Sequence, residues 1–293
     1  MEERYTAGSK MSWIQKVDKI LSIRQILYLL LIAVVLVILL NPLAIPIGIA
    51  GATRDVYNYI DKLPQNPKLL IDVHYEPAGG TEMQPAAIAL LRQLLPKGPK
   101  IVFFTTHSVG PIMFERLKAN APDVFSQLKY GEDYVFLGFV PLTEATIASI
   151  ANGAKEFVAK DPYGSSTADM PIFKIADKAT DYNVAVCIST STDPVEWYVR
   201  QIYTPFKTPI LFMVVAVIGP SVQPFVASKQ AVGMISGQNQ AAQYELLIKR
   251  PGSAVAALDA QSGAHVLIII YIVLGNLVYW PMRLMSKKGR KTS

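Results

Sequence analysis

The fragments LLIDVH (Leu69–His74), MQPAAIALLRQLL (Met83–Leu95) and IVFFTT (Ile101–Thr106) follow one another with short polar connections. The first and third are brief apolar runs rich in Ile, Val and Phe, the signature of strands buried on both faces. The middle one is long enough for a helix. Strand, helix, strand at this cadence requires a right-handed crossover, and therefore two parallel strands in one sheet.

Reading outward extends the pattern. Further strands are expected at Tyr134–Phe139, Val184–Ser189, Ile210–Ile218 and Ala231–Ile235, with helices at Arg54–Leu63, Pro111–Asn120, Thr143–Val158, Pro194–Tyr203, Gln223–Lys229 and Gln238–Ile248. Pro85, Pro111 and Pro194 sit near expected helix starts, where a missing N–H is harmless. Residues 50–262 thus read as one three-layer α/β domain with a parallel sheet, Rossmann-like or flavodoxin-like. The polar, turn-rich stretch Ala159–Tyr182 interrupts the cadence. It reads either as a lid or as a solvated excursion, with a short helix around Ile172–Lys178.

The flanks have a different composition. No charge occurs between Arg24 and Arg54, nor between Asp259 and Arg283, and both intervals are strongly apolar. Residues 26–48 and 264–282 are expected to be transmembrane helices, since about 20 apolar residues span a bilayer. Of the net charge of +6, residues 1–49 carry +2, residues 263–293 carry +5 and residues 50–262 carry −1. Basic excess confined to two ends beside apolar runs is a membrane pattern and not a nucleic-acid footprint. The positive-inside rule then puts segments 1–25 and 283–293 in the cytoplasm and the α/β domain on the outer side of the plasma membrane. Trp13, Ile14, Val17, Ile20 and Leu21 recur at helical spacing, as in an amphipathic helix on the inner leaflet or one continuing into the span. Gly275 and Asn276 within the second span suggest close helix packing with an interhelical hydrogen bond, and hence a homo-oligomer or a membrane-protein partner.

Open parallel sheets bind ligands beyond the carboxyl ends of their strands. The polar residues expected there are Asp72, His74 and Glu76 after the first strand, His107 and Ser108 after the second, and Ser191 and Asp193 after the fourth. Imidazoles titrate near neutrality and suit ligation or base catalysis. Asp72 lies inside an apolar strand and reads as a buried, hydrogen-bonded carboxylate. Ser191 or Asp193 is placed to cap the helix that follows. A hydrolytic set assembled from Ser108, His74 and Asp193 is compatible with these positions, although no spacing requires it.

Several chemistries are excluded by composition or motif. One cysteine rules out an internal disulfide framework and multi-cysteine metal centres, and three histidines leave little for a histidine-rich one. Cys187, within Val-Ala-Val-Cys-Ile-Ser, reads as a buried apolar residue. The chain has no G-x-S-x-G elbow, no phosphate-binding P-loop, no G-x-G-x-x-G and no H-E-x-x-H. No cofactor is named by the residues. Two functions fit: a ligand-binding or structural subunit of a larger membrane assembly, or a membrane-anchored hydrolase using the strand-end His, Ser and Asp groups.

The phrases Ala52-Thr53-Arg54-Asp55-Val56-Tyr57, Met83-Gln84-Pro85-Ala86-Ala87-Ile88-Ala89-Leu90-Leu91-Arg92 and Leu258-Asp259-Ala260-Gln261-Ser262-Gly263-Ala264-His265 resemble an uncharacterised family of prokaryotic membrane proteins with the same two-span layout. The resemblance covers most of the chain from the first span onward. It implies a prokaryotic membrane protein and no particular activity.

Overall fold

Six parallel strands carry the domain: β1 (Lys68–His74), β2 (Lys100–Thr105), β3 (Tyr134–Phe139), β4 (Val184–Ser189), β5 (Ile210–Val214) and β6 (Gly233–Ser236). The computed structural model describes residues 24–289, with side chains up to residue 280. The strand order is β3-β2-β1-β4-β5-β6. This is the Rossmann order, so the flavodoxin-like alternative does not apply. The direction of winding reverses between β1 and β4, whose register pairs Asp72 with Cys187 and His74 with Ser189. The chain divides into two compact units, Ala44–Val255 and the remainder at its two ends.

Within the domain the named helices are α2 (Gly51–Asp61), α3 (Pro77–Leu94), α4 (Gly110–Asn120), α5 (Glu144–Asn152), α6 (Asp193–Tyr198), α7 (Gly219–Ala227) and α8 (Gly237–Leu247). Alternation along the strands sorts the core into two layers. Leu70, Val102, Phe104, Val135, Ala185, Cys187 and Phe212 pack with Ile147, Ile150, Val195 and Tyr198 in one continuous cluster. On the opposite face Phe114 of α4 stacks on Phe136 with ring centroids 4.0 Å apart and meets Phe103 at 5.1 Å. α8 packs beside α3 on this second face. Cys187 is fully buried, as its setting in an apolar strand predicts, and burial raises its thiol pKa well above the usual value.

Several expected boundaries shift for local reasons. α3 begins at Pro77, so Pro85 lies inside the helix and not at its start. The helix expected over Thr143–Val158 breaks at Gly153, while Thr143 caps α5 by accepting from the Thr146 N–H. β5 stops at Val214, and Ala216–Ile218 forms a turn. α6 runs into a π-helical turn, Val199–Tyr203. The Ala159–Tyr182 stretch is neither an open lid nor wholly solvated. Met170, Ile172, Phe173, Ala176, Ala179 and Tyr182 are buried in the core. Buried Asp161 organises its start by accepting from Tyr130 Oη at 2.6 Å and from the N–H groups of Tyr163 and Ser165.

The other unit contains α1 (Arg24–Leu40) and the greater part of α9 (Ser253–Gly289). Within α9, Ser253–Trp280 is the one helix among the described residues long and apolar enough to cross a membrane; α1, at 17 residues, is shorter. The first expected span, 26–48, is thus helical only to Leu40. Asn41 and Pro42 end it, because the residue before a proline is pushed out of the α-region. Inside this unit Val34 and Ile38 of α1 lie against Gly263, and Tyr271 Oη donates to the Leu27 carbonyl at 3.1 Å. Those two pairings make the helices antiparallel. The close approach falls at Gly263; a Cβ on Gly275 would meet open space, and the Asn276 amide donates to the Ile272 carbonyl of its own helix at 2.8 Å. Within this unit the Asn276 amide makes no hydrogen bond to α1. The expected amphipathic segment Trp13–Leu21 lies outside the described residues.

Gly110 tests how tightly the second layer is built. A Cβ there would collide with Thr105, whose buried hydroxyl donates to the Val73 carbonyl at 2.8 Å and accepts from the His107 N–H. Gly110→Ala is expected to destabilise the protein by about 1–3 kcal/mol through overpacking, measured as a lower urea midpoint with an unchanged m-value.

Candidate functional site

The site begins with a polar residue in an apolar strand. Asp72 points to the same face as Leu70, at the level where β1 crosses over towards β4, and is fully buried. A carboxylate so placed needs hydrogen-bond donors. Thr106, immediately beyond β2, supplies two: its N–H to Asp72 Oδ1 at 3.1 Å and its hydroxyl to Oδ2 at 2.8 Å. The Thr106 oxygen also lies 2.8 Å from His74 Nδ1. His74 Nε2 lies 3.2 Å from Ser191 Oγ.

These contacts define a directed chain. A hydroxyl has one proton, and when Asp72 is ionised Thr106 gives that proton to it, so the Thr106 oxygen accepts from His74 Nδ1–H. Nε2 then carries the lone pair and accepts from Ser191 Oγ–H. The turn after β4 holds Ser191 in place: its N–H donates to Ser189 Oγ, and that hydroxyl donates back to the Ser191 carbonyl. Asp72, Thr106 and His74 are buried, whereas Ser191 is half-exposed at the carboxyl edge.

A second pair of groups lies alongside. Glu76 is the N-cap residue of α3, and its Oε2 accepts from the Thr190 hydroxyl at 2.7 Å and lies 3.7 Å from His107 Nε2. Gly79 permits this approach, since a Cβ there would collide with the Thr190 methyl group. The His107 ring meets His74 edge-on at 5.2 Å, and its Nδ1 accepts from the Val109 N–H. Glu76, His107, Thr190 and Ser191 are all half-exposed, so the strand ends present a polar surface over the buried chain.

Burial raises the Asp72 carboxyl to about 7, against the two bonds from Thr106. Burial, reinforced by the nearby His107, lowers His74 to about 4, with Glu76 acting in the opposite direction. The Thr190 hydroxyl is the main reason that Glu76 is held below the usual carboxylate value. Glu76 thus keeps a negative charge at the first turn of α3, the position where a dinucleotide's phosphate sits in Rossmann sheets. That arrangement disfavours an anion at this edge and suits a neutral or cationic polar group.

The sequence-derived candidates divide cleanly. Asp72, His74, Glu76, His107 and Ser191 converge, while Ser108 and Asp193 are exposed and form no side-chain hydrogen bond or ion pair with them. The set Ser108, His74 and Asp193 is therefore not assembled. Neither Ser191 nor Asp193 caps α6 with its side chain; the N-cap is Thr192, and the Ser191 hydroxyl is on His74. Two contributors were missed, Thr106 and Thr190. The first was detectable in principle, because alternation puts Thr106 on the Phe104 face beside Asp72.

No family model matches this chain, nor does any curated protein or solved structure. The site's meaning therefore rests on its geometry.

The pair of shifted groups makes a test possible. Unfolded, Asp72 and His74 titrate near about 3.9 and 6.5. Between those values the unfolded pair holds one proton, on the imidazole. The folded pair also holds one, on Asp72. Equal proton numbers mean almost no pH slope from the pair in that interval. Removing either partner exposes the other. In His74→Gln only the folded state protonates Asp72, so stability relative to wild type should fall as pH rises from about 4 towards about 7. In Asp72→Asn only the unfolded state protonates His74, so relative stability should rise from about pH 4 to about 6.5. Each slope approaches about 1.4 kcal/mol per pH unit. Urea unfolding of the full chain across this range measures both, and slopes of the same sign would contradict the proton exchange.

Proposed function

We propose that this chain is anchored in the plasma membrane by its apolar helices, holds its α/β domain outside the cytoplasm, and binds a small polar ligand at the carboxyl edge of its sheet. The observation that carries the binding role is the convergence of half-exposed Glu76, His107, Thr190 and Ser191 at the reversal between β1 and β4. Ligands of open α/β sheets lie at that crevice.

The membrane assignment has separate support. Leu29, Leu36, Val37 and Leu40 of α1, and Val266, Ile269, Ile272 and Leu277 of α9, expose apolar side chains that water would not stabilise. A helix of 17 residues is about 25 Å long, close to the roughly 30 Å of a hydrocarbon core. The antiparallel pairing of α1 and α9 suits two ends on one side, and the basic end segments favour the cytoplasmic side. The reading includes the lipid bilayer as a partner, no nucleic acid, and kinship with prokaryotic two-span membrane proteins. A role as a subunit of a larger assembly belongs to the same reading.

Native mass spectrometry of the protein extracted gently from its own membrane tests both parts. A small bound mass retained by the wild type and lost from Glu76→Gln and His107→Asn supports the strand-end site. A defined multimer supports the assembly role. A bare monomer would count against both.

One contact favours a second reading, hydrolysis. The Ser191 hydroxyl donates to an imidazole nitrogen whose other nitrogen is fixed by Thr106 and Asp72. In that role Ser191 is the nucleophile and His74 the general base, with Thr106 and Asp72 as positioning residues. Protonation of Asp72 at Oδ2 would reverse the chain, making Nε2 a donor to Ser191 and leaving the serine without a base. A serine-directed fluorophosphonate is therefore expected to label the wild type and not Ser191→Ala, at a rate that rises as pH passes about 7. Absence of labelling at any pH would end the hydrolytic reading.

A further inference from the structure

The second half of α9 carries a polar side chain in an otherwise apolar surface. Asn276 is exposed, and its amide donates to the Ile272 carbonyl one turn back, towards the start of the helix. That bond turns the amide away from the basic end segment and towards the middle of the apolar run. Arg283, the first basic residue beyond it, is about 10 Å further along the helix, more than an asparagine side chain can reach. The second amide N–H and Oδ1 have no partner among the described residues. In hydrocarbon no water serves such groups, so another protein group must.

α1 is on the wrong side to supply it. α9 meets α1 at Gly263 and at Tyr271. At 3.6 residues per turn, Asn276 lies about 140° around the helix from each of them, in opposite directions, and so faces away from α1. The surface around it is patterned. Val266, Ile269, Val273, Asn276 and Trp280 follow one another at alternating steps of three and four, and the four apolar members are each more than half exposed. A repeat of this kind keeps two helices in contact along a left-handed crossing, and a single polar member fixes their register. An open hollow of about 420 Å³ beside Asn276, walled by Ile272, Val273, Leu277 and Trp280, leaves room for side chains from a facing helix.

We propose that α9 pairs along this seam with α9 of a second copy of the chain, and that Asn276 sets the register. The inference rests on the membrane anchoring proposed above and names the partner in the assembly. Copies inserted under the same charge rule share one orientation, so their α9 helices run parallel. About a twofold axis along the membrane normal, each residue then faces its own counterpart at the same depth. Asn276 meets Asn276, and the free N–H of each donates to Oδ1 of the other. A second copy therefore supplies both a donor and an acceptor at the required depth.

The test uses membranes containing the full chain, with the single native cysteine removed as Cys187→Ala. Val266→Cys, Ile269→Cys and Val273→Cys are expected to give disulfide-linked dimers on oxidation with copper phenanthroline, because seam positions bring Cα atoms within bonding range. Leu267→Cys and Val278→Cys, on the α1 side, should give little. Sedimentation of the purified protein in detergent then reads the role of the amide. Asn276→Leu should weaken self-association by about fivefold, and Asn276→Gln should preserve most of it. Alkaline carbonate extraction of the same membranes checks the anchoring separately. A chain released by carbonate would overturn the anchoring and this inference with it. A chain that stays in the membrane but cross-links equally at all five positions, cross-links only to a different protein, or self-associates unchanged as Asn276→Leu would overturn the pairing alone.

Discussion

A carboxyl group in the middle of a fully buried parallel strand must be held by donors, and Thr106 holds Asp72 with both its N–H and its hydroxyl. Much of the candidate site follows from that attachment. It ties the end of β2 to β1 on the side of the sheet facing α5 and α6. When Asp72 is ionised it also uses the only proton of the Thr106 hydroxyl, which leaves the oxygen to orient His74 through Nδ1. The direction of the imidazole, and with it the role open to Ser191, is therefore decided two hydrogen bonds away, inside the core.

The same arrangement explains why the strand-end surface differs from that of a nucleotide-binding sheet with identical strand order. In those folds a glycine-rich turn and a helix N-terminus are left free for phosphate. Here the first turn of α3 does contain Gly79 and Gly80, but Gly79 serves the close packing of α3 on Thr190. The N-cap position is held by the protein's own Glu76, whose carboxylate accepts from the Thr190 hydroxyl and not from the helix N–H groups. Architecture is shared, and the electrostatic character of the edge is reversed.

The fold was legible because buried parallel strands need no alternation and therefore appear as continuous apolar runs. All six strands are legible from pattern alone, five of them with both ends within two residues. The misplaced ends share a cause. Val215 to Ile218 is apolar enough to continue β5, yet the chain turns there towards α7, and only packing decides where such a run stops being a strand. Pro85 misled in a similar way: a proline inside a helix is unfavourable locally, and the packed face of α3 compensates. The apolar run over residues 26–48 reads as one helix, although Asn41 and Pro42 end it at Leu40.

The candidate site was half legible. Asp72, His74, Glu76, His107 and Ser191 were identified because strand ends of a parallel sheet must lie on one edge. Their partnerships were not, since a residue's distance along the chain says nothing about which turn reaches it. Ser191 is 117 positions from His74, and Thr190 is 114 from Glu76. Sequence by itself determined the α/β class, the composition of the edge and the concentration of positive charge at both ends, because each depends on local pattern or on charge. Strand order, the assembly of Ser191 rather than Ser108 onto His74 and the intrahelical bond of the Asn276 amide were decided only by the tertiary structure. Each of these depends on how distant segments pack, where small differences in shape and hydrogen bonding select one neighbour among several of similar chemistry.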